Sequence, residues 1–187
     1  MSAILEIPEV RQRLSPLSVE EYHHLGEYNE NGRRTELIRG FVIEKMSKSP
    51  LHRTIGSRLH RMLLAQLPAG YSLWKEEPLT FVDSEPEPDI SVVQGDEDDF
   101  TEAHPSTAEL AVEVAVSSPA LDRELASLYA EAGVKEYWIV LGKERKMEVY
   151  LDPKDGQYQQ KRIVGMHETL QCASVPALQI RIADLFP

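Results

Sequence analysis

With 187 residues the chain can bury a real core as one domain and is too short for two full ones, and a hydrophobic share of 42% with 27% charged residues excludes fibrous and wholly disordered chains. No apolar run approaches the roughly 20 residues that span a bilayer, the first residues lack a basic start followed by an apolar stretch, and the single cysteine, Cys172, allows neither an internal disulfide nor a cysteine zinc motif, so a reducing cytoplasm is expected. The formal charge of -11, from 20 basic and 31 acidic residues, counts against indiscriminate, high-affinity binding to nucleic acid.

Residues 1–17 show no clear period and contain Pro8 and Pro16, so an arm is expected ahead of a single domain over 18–187. Ser18 with Glu21 three residues later forms a capping box, and Val19, Tyr22 and Leu25 share a helical face until Gly26 weakens it. Residues 36–46 read as a β-hairpin turning at Arg39-Gly40. Ser49-Pro50 offers a cap and an early proline, and Ile55, Leu59, Met62, Leu63 and Leu67 then recur at helical spacing until Pro68 and Gly70.

Residues 71–74, 79–82 and 90–93 are short β-prone runs, expected to join the hairpin in one sheet. Residues 110–116 form a nearly continuous apolar run broken by Glu113 alone, the mark of a central strand covered on both faces. Leu121, Leu125, Leu128, Tyr129 and Ala132 keep helical spacing, Gly133 supplies a stop, and 137–141 follows as a buried strand. That strand, helix, strand order predicts parallel strands with a right-handed crossover. Residues 146–150, 158–164 and 178–182 suggest later strands, with a closing turn at 183–186.

Charge is unevenly distributed. Arg33, Arg34, Arg39, Lys45, Lys48, Arg53, Arg58 and Arg61 make an early stretch basic, whereas carboxylates dominate 83–124. An ionised carboxylate inside a central strand costs several kcal/mol, by order of magnitude about 3 or more, unless paired or bound to a metal, so Glu113 needs a partner. Asp89, between Pro88 and the 90–93 strand, stands at the mouth of a neighbouring strand, and the two side chains converge if those strands pair. Two acidic oxygen donors suit Mg²⁺, with Mn²⁺ as a substitute. The alternative is structural: Asp89 caps a turn and Glu113 pairs with an arginine.

The order of motifs from about Ser18 to Phe186 resembles the Uma-type restriction-endonuclease family, within the wider PD-(D/E)xK nuclease superfamily. The pieces that carry the resemblance are Glu36-Leu37-Ile38-Arg39-Gly40, His52, Glu87-Pro88-Asp89-Ile90 and Val112-Glu113-Val114, followed by Ser117-Ser118-Pro119, Asp122-Arg123 and the stretch Leu128-Tyr129-Ala130-Glu131-Ala132-Gly133-Val134-Lys135-Glu136-Tyr137-Trp138. It implies a restriction-endonuclease-like α/β fold: a central mixed sheet flanked by helices, with an N-terminal helix and hairpin extension. It also implies that Asp89 and Glu113 are metal ligands with the Val114 carbonyl as a third, that Glu36 orients water, and that His52 contacts phosphate or moves a proton. For Glu36 a strand-edge salt bridge, and for His52 a capping or surface role, stand as alternatives.

The superfamily's lysine two residues after the glutamate is replaced here by Ala115, and the position in the next helix to which the resembling family moves it is Leu125. Lost activity and a lysine supplied from elsewhere, Lys75 or Lys135 for example, both fit. The leading expectation is a Mg²⁺-dependent endonuclease acting on DNA as a homodimer, with His52, Arg53, Arg58 and Arg61 meeting the nucleic acid. The competing expectations are a catalytically degenerate relative that binds nucleic acid or protein, and a module for another anionic ligand. Asp96 to Asp99 read as a solvated loop, Trp74, Tyr137 and Trp138 as core or interface, and Cys172 as no nucleophile.

Overall fold

The computed structural model describes residues 7–27, 32–117 and 119–187, so Ser118 and the first six residues of the expected arm lie outside the described residues. Two compact units divide the chain, residues 1–45 with 82–86 and residues 46–81 with 87–187. No helix among the described residues is long and apolar enough to cross a membrane.

In the first unit the short helix α1 (Pro8–Arg11) precedes α2 (Val19–Glu27). The expected capping box opens α2: the Ser18 N–H donates to Glu21 Oε2 at 2.8 Å and the Glu21 N–H to Ser18 Oγ at 3.1 Å. Strands β1 (Thr35–Ile38) and β2 (Phe41–Glu44) pair antiparallel through Arg39 and Gly40, both with positive φ (53° and 75°), as a two-residue hairpin requires. Gly40 is glycine for a second reason, because a Cβ there would collide with Pro16.

The hairpin was expected in the central sheet, and it instead forms a two-stranded sheet of its own. The reason is local. The outer side of β1 is occupied by residues 83–85, where the Glu85 N–H donates to the Leu37 carbonyl at 2.7 Å and the Gly40 N–H to the Asp83 carbonyl at 2.9 Å.

The second unit holds a six-stranded sheet. In chain order its strands are β3 (Tyr71–Trp74), β4 (Ile90–Gln94), β5 (Leu110–Ala115), β6 (Glu136–Leu141), β7 (Lys146–Lys154) and β8 (Gln157–Val164), and they are neighbours in that order. Every pairing is antiparallel except β5 with β6, which is parallel and joined through α4 (Ala120–Glu131), as the strand, helix, strand pattern predicts. Gly133 (φ 73°) ends α4, with its N–H donating to the Ala130 carbonyl and that of Val134 to the Tyr129 carbonyl, which satisfies two of the helix's last acceptors.

Alternation along the strands assigns the two faces. Ile90, Val92, Leu110, Val112, Val114, Trp138 and Val140 share one core with Ile55, Leu59 and Leu63 of α3 (Pro50–Leu64). The residues of opposite parity, among them Ala111, Glu113, Tyr137 and Ile139, face the α4 side, where Leu125, Leu128 and Tyr129 are buried. A small pair, β9 (Thr169–Gln171) and β10 (Gln179–Arg181), contributes Leu170 and Ile180 to the α3-side core.

The β-prone run 79–82 is not a strand. Leu79 is buried but Val82 is fully exposed, and the Thr80 N–H donates to the Pro105 carbonyl at 2.9 Å, so a loop contact takes the place of a ladder.

Candidate functional site

Asp89 immediately precedes β4, and Glu113 lies within the neighbouring β5. Ile90 pairs with Val112, and continuing that antiparallel register by one residue sets Asp89 opposite Glu113. Asp89 stands just outside the strand, after Pro88, and its Oδ2 accepts the Val114 N–H at 2.8 Å. A carboxylate thus takes the bond that a further ladder carbonyl would have made.

A lysine and a histidine converge on the same buried group. Lys48 Nζ lies 2.6 Å from Asp89 Oδ1 and 3.0 Å from Glu76 Oε1, and His52 Nε2 lies 3.0 Å from Asp89 Oδ2. Burial works against the charge of Asp89, but His52 and Lys48 outweigh it and hold the carboxyl at about 2. Lys48 and His52 are brought together by the start of α3: Ser49 between them is the N-cap, its Oγ accepting the His52 N–H at 3.2 Å, and Pro50 follows.

Glu113 is half-buried in the middle of β5 and accepts a hydrogen bond from the Tyr129 hydroxyl of α4 at 3.1 Å. The Tyr129 ring lies 4.7 Å from that of Tyr137. Burial, and then the negative charge of Glu113, push the Tyr137 phenol well up, which keeps it neutral beside the carboxylate.

Leu125, one turn before Tyr129, is 4% exposed, and Ala115 is buried, so neither position offers a cation. Lys135 donates to Glu109 at 2.6 Å, at the far end of β5 and four residues, ~13 Å of strand, from Glu113. Lys75 pairs with Glu76 at 3.7 Å. The ammonium beside Asp89 is that of Lys48, which the sequence shows only as one member of a basic run. The cap at Ser49 carries the signal that could have singled it out, since it places 48 and 52 at one helix end.

Arg53, Arg58 and Arg61 of α3, with Lys48, Thr54 and Ser57, line an open groove of about 490 Å³. His52 is turned instead toward Asp89. Glu36 belongs to the first unit, on β1, where Lys45 Nζ donates to its Oε1 at 2.6 Å.

The donor chemistry at Asp89 and Glu113 fits a hard divalent cation, because Mg²⁺ is commonly held by one or two carboxylates and completes its shell with water and substrate phosphate. Among the described residues no group of three or more His, Cys, Asp or Glu is placed to hold a metal ion.

Other singled-out residues are structural. Trp138 and Tyr137 are buried in the sheet, and Trp74 packs edge-on against Phe100 with ring centroids 5.3 Å apart. Cys172 is buried beside Glu136, and burial together with that negative charge pushes its thiol up to about 12, which rules out a reactive thiolate at neutral pH. The acidic residues 96–99 are exposed and bound to one another, the Asp96 N–H donating to Asp99 Oδ2 at 2.9 Å.

No curated protein matches the chain. Among solved structures, it matches the crystal structure of "a putative nuclease belonging to DUF820" from Anabaena variabilis with a TM-score of 0.77 at 20% sequence identity, covering 91% of this chain and 98% of that one. That likeness establishes the fold as restriction-endonuclease-like. The family model Uma2, described as "Putative restriction endonuclease", matches residues 19–183, which reaches into both units and takes in the motifs from Glu36 to Trp138, and the chain therefore belongs to the Uma2 family.

Proposed function

We propose that the protein is a divalent-metal-dependent endonuclease that hydrolyses DNA phosphodiester bonds, with Asp89 and Glu113 as ligands of a Mg²⁺ or Mn²⁺ ion and the Val114 carbonyl as a third donor. The observation that supports the proposal is the pairing of β4 with β5, which ends at Ile90 and Val112, so that the Asp89 carboxylate bonds the Val114 N–H, next to Glu113, and reaches Lys48 at the groove lined also by Arg53, Arg58 and Arg61. When bound, such an ion supplies charge stabilisation at the phosphate and acidifies water. The chain's own groups do the rest. The arginines of α3 hold backbone phosphates, His52 keeps Asp89 ionised, and the Tyr129 hydroxyl fixes the Glu113 carboxylate in orientation.

Supercoiled plasmid incubated with Mg²⁺ or Mn²⁺ is expected to be nicked, and Asp89→Ala to reduce the rate by about a hundredfold or more. The same assay on Glu36→Gln tests the water-orienting role that the family resemblance implies for that residue. Absence of cleavage of duplex DNA, single strands and RNA with either ion counts against the proposal. Action in the cytoplasm as a homodimer completes it, the latter checked by sedimentation equilibrium.

A second reading, a nuclease fold kept for binding alone, is favoured by one observation: Leu125 is buried where the resembling family carries a lysine. Burying that leucine stabilises the fold by roughly 1.5–3 kcal/mol, whereas a lysine there needs desolvation and a carboxylate. Activity that appears only in Leu125→Lys identifies the second reading as the right one.

A further inference from the structure

The carboxylate pair and the basic groove meet at a single residue. Lys48 lines the groove with the three arginines of α3, and its ammonium also reaches inward to Asp89 Oδ1 at 2.6 Å and Glu76 Oε1 at 3.0 Å. Its side chain is 26% exposed, between the burial of Asp89 and the openness of the groove. Both oxygens of Asp89 are therefore engaged, Oδ1 by Lys48 and Oδ2 by His52 and the Val114 N–H. A cation that coordinates Oδ1 therefore competes with the Lys48 ammonium for the charge of the same carboxylate.

Among these three donors Lys48 is the one that can leave without rebuilding the fold. The Val114 N–H is fixed by β5, and His52 is fixed by the first turn of α3. Lys48 precedes the helix cap, and its ammonium sits on a flexible four-carbon stem with three equivalent donors. Where it can go is set by charge. One ammonium faces two carboxylates on its inner side, while its outer side opens on a groove whose other cations are arginines, so a phosphate seated there meets an electropositive wall.

We propose that Lys48 is the movable cation of this site: it closes Asp89 while the groove is empty and transfers to a phosphate when a polynucleotide binds, so that nucleic acid and divalent cation bind with positive coupling. The inference rests on the metal-dependent reading given above. Removal of the ammonium leaves Asp89 and Glu76 with less compensating charge, which raises affinity for a divalent cation, and by linkage that cation raises affinity for the polynucleotide by the same factor.

The test is binding, independent of turnover. Mn²⁺ affinity is measured by electron paramagnetic resonance of the free ion, with and without a hydrolysis-resistant phosphorothioate DNA duplex, for the native protein, Lys48→Met and Lys48→Gln, the last retaining a hydrogen-bond donor for Asp89 if the methionine variant folds poorly. In the native protein the duplex is expected to tighten Mn²⁺ roughly tenfold; both variants are expected to bind Mn²⁺ roughly tenfold more tightly than the native protein without DNA, and to lose the effect of the duplex. Variants that bind Mn²⁺ no more tightly, in a protein whose Mn²⁺ binding is abolished by Asp89→Asn, overturn the role of Lys48 and leave the metal site standing. If no form binds Mn²⁺ with or without the duplex, the metal-dependent reading and this inference fall together.

Discussion

Asp89 combines strong burial with a strongly favoured charge, because His52 and Lys48 overcome the desolvation that would otherwise protonate it. Its carboxyl titrates at about 2 when folded against an ordinary 3.8, so it contributes stability above about pH 4 that is lost as the pH falls toward 2. Urea unfolding measured across that window is expected to show a flatter acid limb for Asp89→Asn than for the native protein. Glu136 is another buried carboxylate on which several donors converge, and it is fully buried: Trp138 Nε1 at 2.7 Å, the Ala173 N–H at 2.7 Å and the Ser174 N–H at 3.2 Å. It ties the segment after β9 to β6, a structural task. Glu136→Ala strands those donors and is expected to cost about 3 kcal/mol in unfolding free energy, with Glu136→Gln costing less because one acceptor remains.

At the scale of elements, α3 joins core to site. Its inner face, Ile55, Leu59 and Leu63, is fully buried, its outer stripe is basic, and its capped end presents Lys48 and His52 to Asp89. Gly56 lies in the middle of this helix, and a Cβ built there meets nothing within 4 Å. Gly56→Ala is therefore expected to stabilise the protein by roughly 0.5–1 kcal/mol, read as a raised thermal midpoint with the binding properties of the groove unchanged. A lowered midpoint would show that α3 has less room than its surroundings indicate. Loss of the Ser49 cap works in the opposite direction: Ser49→Ala is expected to cost about 1 kcal/mol and, unlike Gly56→Ala, to disturb Asp89, since it frays the turn that carries His52.

For the whole molecule, a net charge of -11 and a groove lined by Lys48 and three arginines act against each other. On the function proposed above, long-range repulsion of a polyanion would disfavour binding at low salt, where screening is weak, while phosphate contacts in the groove would release counterions. Replacing Arg58 and Arg61 together by glutamine is expected to weaken DNA binding to similar degrees for unrelated sequences and to reduce the magnitude of the slope of log K against log salt by about 2. Fluorescence anisotropy at several salt concentrations measures both. An unchanged slope would mean that the groove is not where the phosphates lie.

The sequence by itself determined what depends on local pattern. The capping box at Ser18, the hairpin turn at Arg39-Gly40, the helix begun at Ser49, and the parallel β5–β6 pair with its crossover helix all follow from spacing and end signals within a few residues or one crossover unit, and so did the oddity of Glu113 in an apolar strand. Tertiary structure alone decided the pairings between segments that no tight turn or crossover unit joins. Residues 79–82 are as β-prone as 90–93, yet only the latter find neighbours on both sides, and the hairpin bonds to residues 83–85. The identity of the cation at Asp89 was beyond sequence for the same reason. Lys48 is 41 residues from its carboxylate, no periodicity links the two, and an ion pair between distant segments exists only once burial has brought them together and made an unpaired charge costly.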